Sequence, residues 1–267
     1  MILANASSLG LTLALGAAAA YAVSASGPER LGLRAARAAI WLAWLLHGMA
    51  LAWSLFGVQA RFGFAPALSV TAWLVTAVYA IESQMYPQLP TRWILSVLGA
   101  VAVLLATLFP GKLLHATVSP WLPLHWGLGI ASYGLFGVAV IHAWLMTRAE
   151  ERIRHAADPH AGMPLLTMER LIFKFVTAGF LLLSATLVVG LGFGNQLLGS
   201  TTPVKLDHKT AFSLLSWLTF AVLLVGRTRF GWRGKRAVRV LYAGAALLLL
   251  AYVGSRFVIE VILARSA

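Results

Sequence analysis

Histidine is the residue type in this chain best suited to bind a metal, because the sequence has seven histidines and no cysteine. His125 and His208 each begin a long apolar segment, and the topology derived below puts both at one face of a membrane. A neutral imidazole offers one ring nitrogen with a directed lone pair, so two rings from different helices can bind one haem iron from opposite sides of the porphyrin. The pattern predicts a bis-histidine haem site near the outer face, with His125 and His208 as the iron ligands.

Cationic and aromatic residues accompany the two histidines. Lys205, Lys209 and Arg256 fall at about the same depth and are suited to pair with the propionates of a haem. Trp121 and Trp126 are placed to flank the macrocycle.

The same positions also have a structural interpretation. Asp207 is a good helix N-cap, because its side chain can accept a hydrogen bond from a free backbone N–H. His208 would then be only a first-turn residue at the membrane interface, and His125 a similar one beside Pro123. From the residues alone, both interpretations stay open.

Two more histidines lie at membrane depth, where ionisable groups are costly. His47 falls near the middle of the second apolar segment and must find a polar partner or a metal. His142 follows His125 by 17 residues, which places it about 25 Å deeper along a helix. His47 and His142 are therefore a second candidate pair near the inner face, with depths that match imperfectly.

Intramembrane acids form the remaining candidates. Glu82 lies near the inner end of the third segment with Tyr79 and Tyr86 on neighbouring turns, which leaves a proton-relay role open. Arg256 and Glu260 are four residues apart on the last segment and can neutralise one another as a structural ion pair.

Composition predicts an all-α, polytopic membrane protein. The chain of 267 residues is 60% hydrophobic and only 11% charged, whereas soluble domains have about 25% charged residues. Apolar stretches near the roughly 20 residues that cross a bilayer recur along its whole length. We predict one integral membrane domain over residues 1–267, with eight helices over residues 5–24, 38–57, 64–86, 92–110, 122–147, 168–194, 210–226 and 237–263.

Basic residues predict the orientation, because Lys and Arg resist translocation. Most of the 21 Lys and Arg residues fall on alternate connections, which we assign to the inner face, so that both termini face outward. The first segment has no Lys or Arg before it and is interpreted as a retained helix; cleavage near Ala25 would leave seven. The net charge of +13 is explained by these inner turns, and we expect no nucleic-acid partner.

Motifs of the C-terminal half resemble those of a known family. They are Leu124-His-Trp-Gly-Leu-Gly-Ile-Ala-Ser-Tyr-Gly-Leu-Phe, Asp207-His-Lys, Ser216-Trp-Leu-Thr-Phe-Ala, Gly231-Trp-Arg-Gly-Lys-Arg and Ala251-Tyr-Val-Gly-Ser-Arg-Phe-Val-Ile-Glu. In order and spacing the chain resembles the CcsA-type cytochrome c assembly family, in particular its short eight-helix, YpjD- and HemX-like branch. The resemblance is strongest over residues 122–263.

The resemblance implies a multi-pass protein of the bacterial inner membrane that holds or delivers haem at the outer face for attachment to apocytochrome c. It adds site residues: His125 matches an outer histidine, Asp207 and Lys209 match the end of a haem-binding loop, and His47 resembles a transmembrane histidine. The expected cofactor is a b-type, non-covalent haem, because a chain without cysteine cannot attach haem through a Cys-x-x-Cys-His motif.

Departures from the family pattern support an alternative. Residues 190–206 contain no tryptophan, and Val225-Gly226-Arg227 stands where full haem-handling members have a histidine. The chain could instead be a non-haem accessory or regulatory subunit of another membrane system, such as one that handles ions; a small-solute transporter using His47 and Glu82 is a third hypothesis. No nucleophile–base pair, phosphate loop or metalloprotease spacing occurs, so we expect no enzymatic activity from the chain alone.

Overall fold

The fold is a set of long helices joined by short connections. The computed structural model describes residues 8–26, 28–57, 61–85, 92–113, 121–154, 164–193 and 208–262. The helices are α1 (Ser8–Ala25), α2 (Pro28–Phe56), α3 (Phe64–Met85), α4 (Arg92–Leu108), α5 (Trp121–Arg154), α6 (Leu165–Gly192), α7 (His208–Phe230) and α8 (Gly234–Leu249). Two short strands, β1 (Arg61–Phe62) and β2 (Lys112–Leu113), pair antiparallel.

The predicted all-α membrane fold is confirmed. Within the described ranges, seven helices are long and apolar enough to cross a membrane, and the shorter apolar helix Trp93–Leu108 makes the eighth. The membrane-length part of α2 is Arg37–Phe56, because the helix is interrupted at Gly32, where φ is 71°. A bilayer core has no water to hydrogen-bond with the backbone, so each span must form its own backbone hydrogen bonds as a helix. For this reason the length of an apolar stretch predicts a helix.

The chain divides into two compact units: an N-terminal unit of residues 1–115 with 256–267, and a C-terminal unit of residues 116–255. The expectation of one domain over residues 1–267 stays a prediction. In the N-terminal unit, α1 packs against α2 and α4, and α3 packs against α4 and α2. Small side chains bring α1, α2 and α4 close together: Ala14, Ala17, Ala20 and Ala43 are buried beside Tyr21 and Val103.

The C-terminal unit is centred on a stack of two rings. Phe136 of α5 and Phe220 of α7 lie parallel, with ring centroids 3.8 Å apart. Gly179 of α6 faces the Phe136 ring and Gly244 of α8 faces the Phe220 ring, so that a Cβ at either glycine would meet an aromatic carbon at 3.2 Å or 2.8 Å. One residue from each of four helices therefore builds this core, in which small residues allow close packing.

The last helix continues beyond Leu249 with wider turns. Leu250–Gly254 and Val258–Ile262 are π-helical, and Ser255–Phe257 between them is α-helical. The final part packs within the N-terminal unit, where Phe257 contacts the ring of Phe64 with centroids 5.4 Å apart.

Candidate functional site

His125 lies in the second turn of α5, and α6 fixes the direction of its ring. Its Nδ1 lies 3.0 Å from the carbonyl oxygen of Thr186. A carbonyl only accepts hydrogen bonds, so Nδ1 carries the proton and, in the neutral ring, Nε2 carries the lone pair. Histidines that bind metals commonly have this arrangement, with one N–H held by a backbone carbonyl and the other nitrogen as the ligand.

Gly190 makes room for this ring. A Cβ at Gly190 would lie 2.9 Å from Cε1 of His125, which is closer than carbon atoms approach, so only glycine lets α6 come this near. At the same end of the unit, Trp121 stacks on Phe193 with ring centroids 4.1 Å apart. The start of α5 is therefore held against the end of α6 at two points, Trp121 and His125.

We call this part of the C-terminal unit the histidine end: the starts of α5 and α7 and the end of α6. His208 is the first residue of α7 and is exposed, and Lys209 follows it. The ammonium of Lys209 is close enough for its charge to act on His125, and it lies 5.0 Å from the ring centroid of Tyr252. Trp126, the remaining predicted residue of α5, is half-buried.

Other predicted site residues lie elsewhere or outside the described residues. Asp207 and Lys205 are outside the described residues. Arg256 belongs to the N-terminal unit, not to the unit of His125 and His208. There its charge acts on Glu260, as the spacing of four residues predicts, and Glu260 also accepts a hydrogen bond from the backbone N–H of Phe64 at the start of α3.

His47 is buried in the N-terminal unit and has partners at both ring nitrogens. Its Nδ1 lies 3.1 Å from the Tyr21 hydroxyl and its Nε2 lies 2.8 Å from Ser69 Oγ. Tyr21 in turn is hydrogen-bonded to the side chain of Thr76. The group links α1, α2 and α3 by hydrogen bonds alone, so His47 could bind a metal only by giving up one of them.

Beside this group, two indoles join α2 and α3. The rings of Trp44 and Trp73 stack with centroids 4.7 Å apart. Each Nε1–H donates to the backbone carbonyl of the other tryptophan, at 3.2 Å and 2.9 Å. His47 therefore lies within a tightly specified helix contact.

His142 of α5 is buried in the C-terminal unit, so the two members of the second candidate pair belong to different units. Its Nδ1–H donates to the carbonyl of Val138, one turn earlier, at 2.9 Å. Its ring contacts Phe175 of α6, with centroids 5.4 Å apart. Glu82 of α3 is also buried, with 7% of its surface exposed. Within the described ranges, no three His, Asp or Glu side chains come together as a metal site.

At the opposite end of the C-terminal unit, an ion pair that the sequence did not indicate joins α6 to α7. Arg227 Nη1 donates to Glu169 Oε1 at 2.7 Å, and Arg227 also lies over the ring of Phe173. Trp232 packs on Gly226, where a Cβ would overlap its indole. Gly226 and Arg227 are therefore used for packing and charge pairing in this chain. The acid and the base are 58 residues apart, a separation that local sequence patterns cannot report.

Similarity to known proteins was found for most of the chain. Inner membrane protein YpjD of Escherichia coli is 32% identical over 161 residues, 59% of this chain and 60% of that protein. Cytochrome c biogenesis protein CcsA of Prochlorococcus marinus is 26% identical over 204 residues, 72% of this chain and 62% of that protein. An uncharacterised 28.8 kDa protein of Azospirillum brasilense is 31% identical over 146 residues, 54% of this chain and 53% of that protein. The chain thus spans about 60% of the length of the first two relatives, and no solved structure matches it.

The match to a family model extends further than these pairwise similarities. The model described as Cytochrome C assembly protein matches residues 34–263. That range begins within α2 and includes every later helix, the histidine end and the last helix. The chain belongs to the cytochrome c assembly protein family.

Proposed function

We propose that this chain is a haem-handling protein of the bacterial inner membrane that acts in cytochrome c assembly and holds haem at the histidine end of its C-terminal unit. The observation that carries the proposal is the ring of His125, whose Nδ1–H is held by the Thr186 carbonyl so that Nε2 is the nitrogen left to bind a metal. Family membership and the names of the relatives YpjD and CcsA support the cellular context.

The residues at the histidine end fit a haem. His125 supplies a directed lone pair, and His208, exposed at the start of α7, is the candidate for the second axial position. Lys209 supplies a positive charge suited to a propionate. When bound, haem supplies an iron that accepts two axial nitrogens; the chain has no cysteine for a thioether link, so binding is non-covalent, as in b-type haem.

We infer that the chain binds and positions haem and does not itself catalyse a reaction. Its partners in this proposal are the bilayer and either apocytochrome c or another membrane protein. The α5–α6 contact keeps His125 in one tautomer and one orientation, which favours a stable ligand over a mobile one.

Absorption spectroscopy tests the proposal directly. Protein purified in mild detergent from haem-replete cells should show a Soret band, and a pyridine haemochrome assay should give about one haem per chain. His125→Ala and His208→Ala should each retain less than about a tenth of the haem, since loss of an axial ligand removes several kcal/mol of binding.

Rescue separates ligation from folding. In His125→Gly, added imidazole should restore the Soret band if the ring acts as a ligand, because the free base can enter the space that it leaves. A wild-type protein that is colourless under haem-replete conditions, yet monodisperse, would contradict the proposal.

One observation favours the second candidate, a non-haem accessory subunit of another membrane system. The segment Val225-Gly226-Arg227 stands where full members have a histidine; here Gly226 packs against Trp232 and Arg227 pairs with Glu169. Stoichiometric co-purification of a membrane partner with a haem-free chain would support this function over the first.

A further inference from the structure

A cleft opens between α5 and α8 at the end of the C-terminal unit opposite the histidine end. Its volume is about 320 Å³. It is lined by Trp144, Thr147, Arg148, Glu151, Lys235, Val238, Arg239 and Tyr242. We call it the basic cleft. Neither the haem proposal nor the family match gives it a role.

The two helices contribute matching sets of residues to this cleft. On α5 the lining positions are 144, 147, 148 and 151, and on α8 they are 235, 238, 239 and 242. Both sets follow the i, i+3, i+4, i+7 spacing of a single helix face. The cleft is thus formed by two facing helix surfaces and does not depend on a loop.

Positive charge dominates the lining. The lining contains three cations, Arg148, Lys235 and Arg239, and one carboxylate, Glu151. All four side chains are exposed to solvent. These four groups leave a net charge of +2. Two guanidinium groups and an ammonium group on both walls suit a phosphate, which arginine can bind with two parallel hydrogen bonds.

Two aromatic residues, Trp144 and Tyr242, also line the cleft. The Arg148 guanidinium lies 5.1 Å from the ring centroid of Trp144, a contact that restricts where its donors can point. Tyr242 of α8 lies on the other wall and is 37% exposed. Tryptophan and tyrosine are enriched where a helix leaves the hydrocarbon core for the headgroup region.

An apolar track continues from the cleft along α8. Ala246, Leu249 and Leu250 follow Tyr242 at i+4, i+7 and i+8, and all three are exposed. A free phosphate would use only the charged cleft. A phospholipid would use the cleft for its phosphate and this track for an acyl chain, so the arrangement favours the lipid.

We propose that the basic cleft binds the phosphate of an anionic phospholipid, with Arg148, Lys235 and Arg239 around the headgroup and an acyl chain along the exposed face of α8. Basic pockets between membrane helices are suited to such headgroups, because the nearby anionic leaflet supplies the ligand at high local concentration. The bound lipid would hold α5 and α8 together at this end of the unit.

Native mass spectrometry of the detergent-purified full chain tests the proposal. The chain is mixed with phosphatidylglycerol or phosphatidylcholine in 150 mM salt, and retained lipid is counted. Wild type should retain one phosphatidylglycerol in preference to phosphatidylcholine. Lys235→Gln/Arg239→Gln should bind it at least about tenfold more weakly, because two charge-assisted contacts to the phosphate are lost.

A matched variant controls for general charge. Arg152→Gln/Arg154→Gln removes two exposed cations from α5 outside the lining of the cleft, and screening at this salt concentration should limit its effect to about twofold. Equal losses in the two variants would show only nonspecific attraction and would overturn the site. Equal retention of the two lipids, or displacement of phosphatidylglycerol by millimolar inorganic phosphate, would overturn the assignment to a lipid.

Discussion

At the scale of single residues, the direction of the His125 ring depends on α6. The Thr186 carbonyl holds Nδ1 and the missing side chain of Gly190 gives the ring its space. The sequence places a histidine near the start of a membrane helix, but these two partners lie 61 and 65 residues further along the chain. Local sequence patterns do not report such contacts, so the histidine could be predicted and its orientation could not.

Two glycines of α6 provide a matched test of this contact. Gly190→Ala would put a Cβ 2.9 Å from His125, whereas at Gly192 a Cβ would meet nothing within 4 Å. We expect Gly190→Ala to move the imidazole and lower haem retention about tenfold or more, since misplacing a ligand by about 1 Å is costly. Gly192→Ala should stay within about twofold of wild type. Haem titration followed at the Soret band gives both values, and equal behaviour of the two variants would contradict the assigned role of Gly190.

At the scale of the elements, hydrogen bonds between helices stabilise helix association, which apolar burial cannot drive in a bilayer. Lipid tails are as apolar as leucine, so helices associate through close packing and polar contacts. His47 follows this rule, since it links α2 to Tyr21 of α1 and to Ser69 of α3. The sequence required a partner for His47 but could not distinguish a metal from a hydroxyl group, because either can satisfy the lone pair of a neutral imidazole.

Two hydroxyl residues of α3 allow the effect of a hydrogen bond between helices to be compared with that of a hydrogen bond within one helix. Ser69 Oγ contacts His47 Nε2, whereas Thr71 Oγ1 donates to the Ala67 carbonyl one turn earlier. Ser69→Ala should lower the free energy of unfolding by about 1–2 kcal/mol, because it leaves a buried ring nitrogen without that partner. Thr71→Ala should change it by less than about 0.5 kcal/mol. Unfolding by SDS titration in mixed micelles measures both; similar losses would show that the network adds little.

Helix ends were less predictable than helix existence. The apolar pattern ends α5 near residue 147, but the helix runs to Arg154. Hydropathy marks where a helix leaves the apolar core, whereas the helix itself continues as long as good helix formers such as Glu150, Glu151 and Arg152 follow. Arg148 and Glu151 of the basic cleft lie on this extension. A prediction based on apolar length therefore leaves them outside the helix.

At the scale of the whole molecule, the side on which each end emerges depends on α4. Its apolar part, Trp93–Leu108, is shorter than the other spans, and its 16 residues would extend about 24 Å against a hydrocarbon core of about 30 Å. Eight crossings put both termini on one side, and seven put them on opposite sides. The distribution of Lys and Arg predicts eight crossings with both termini outside.

This orientation can be tested by labelling single-cysteine variants with a thiol reagent. The native chain has no cysteine, so only the introduced residue can react. Three exposed residues are each replaced by cysteine: Ser8 at the start of α1, Ile262 at the end of the last helix, and Thr228 in the basic last turn of α7. In spheroplasts, a membrane-impermeant maleimide should label the first two variants, whereas Thr228→Cys should react only after lysis. Labelling of Ser8→Cys and Ile262→Cys from opposite sides would mean that α4 does not cross. Because α4 precedes the C-terminal unit in the chain, the histidine end and the basic cleft would then lie on exchanged faces of the membrane. A haem held by His125 would face the cytoplasm if the N-terminus stays outside.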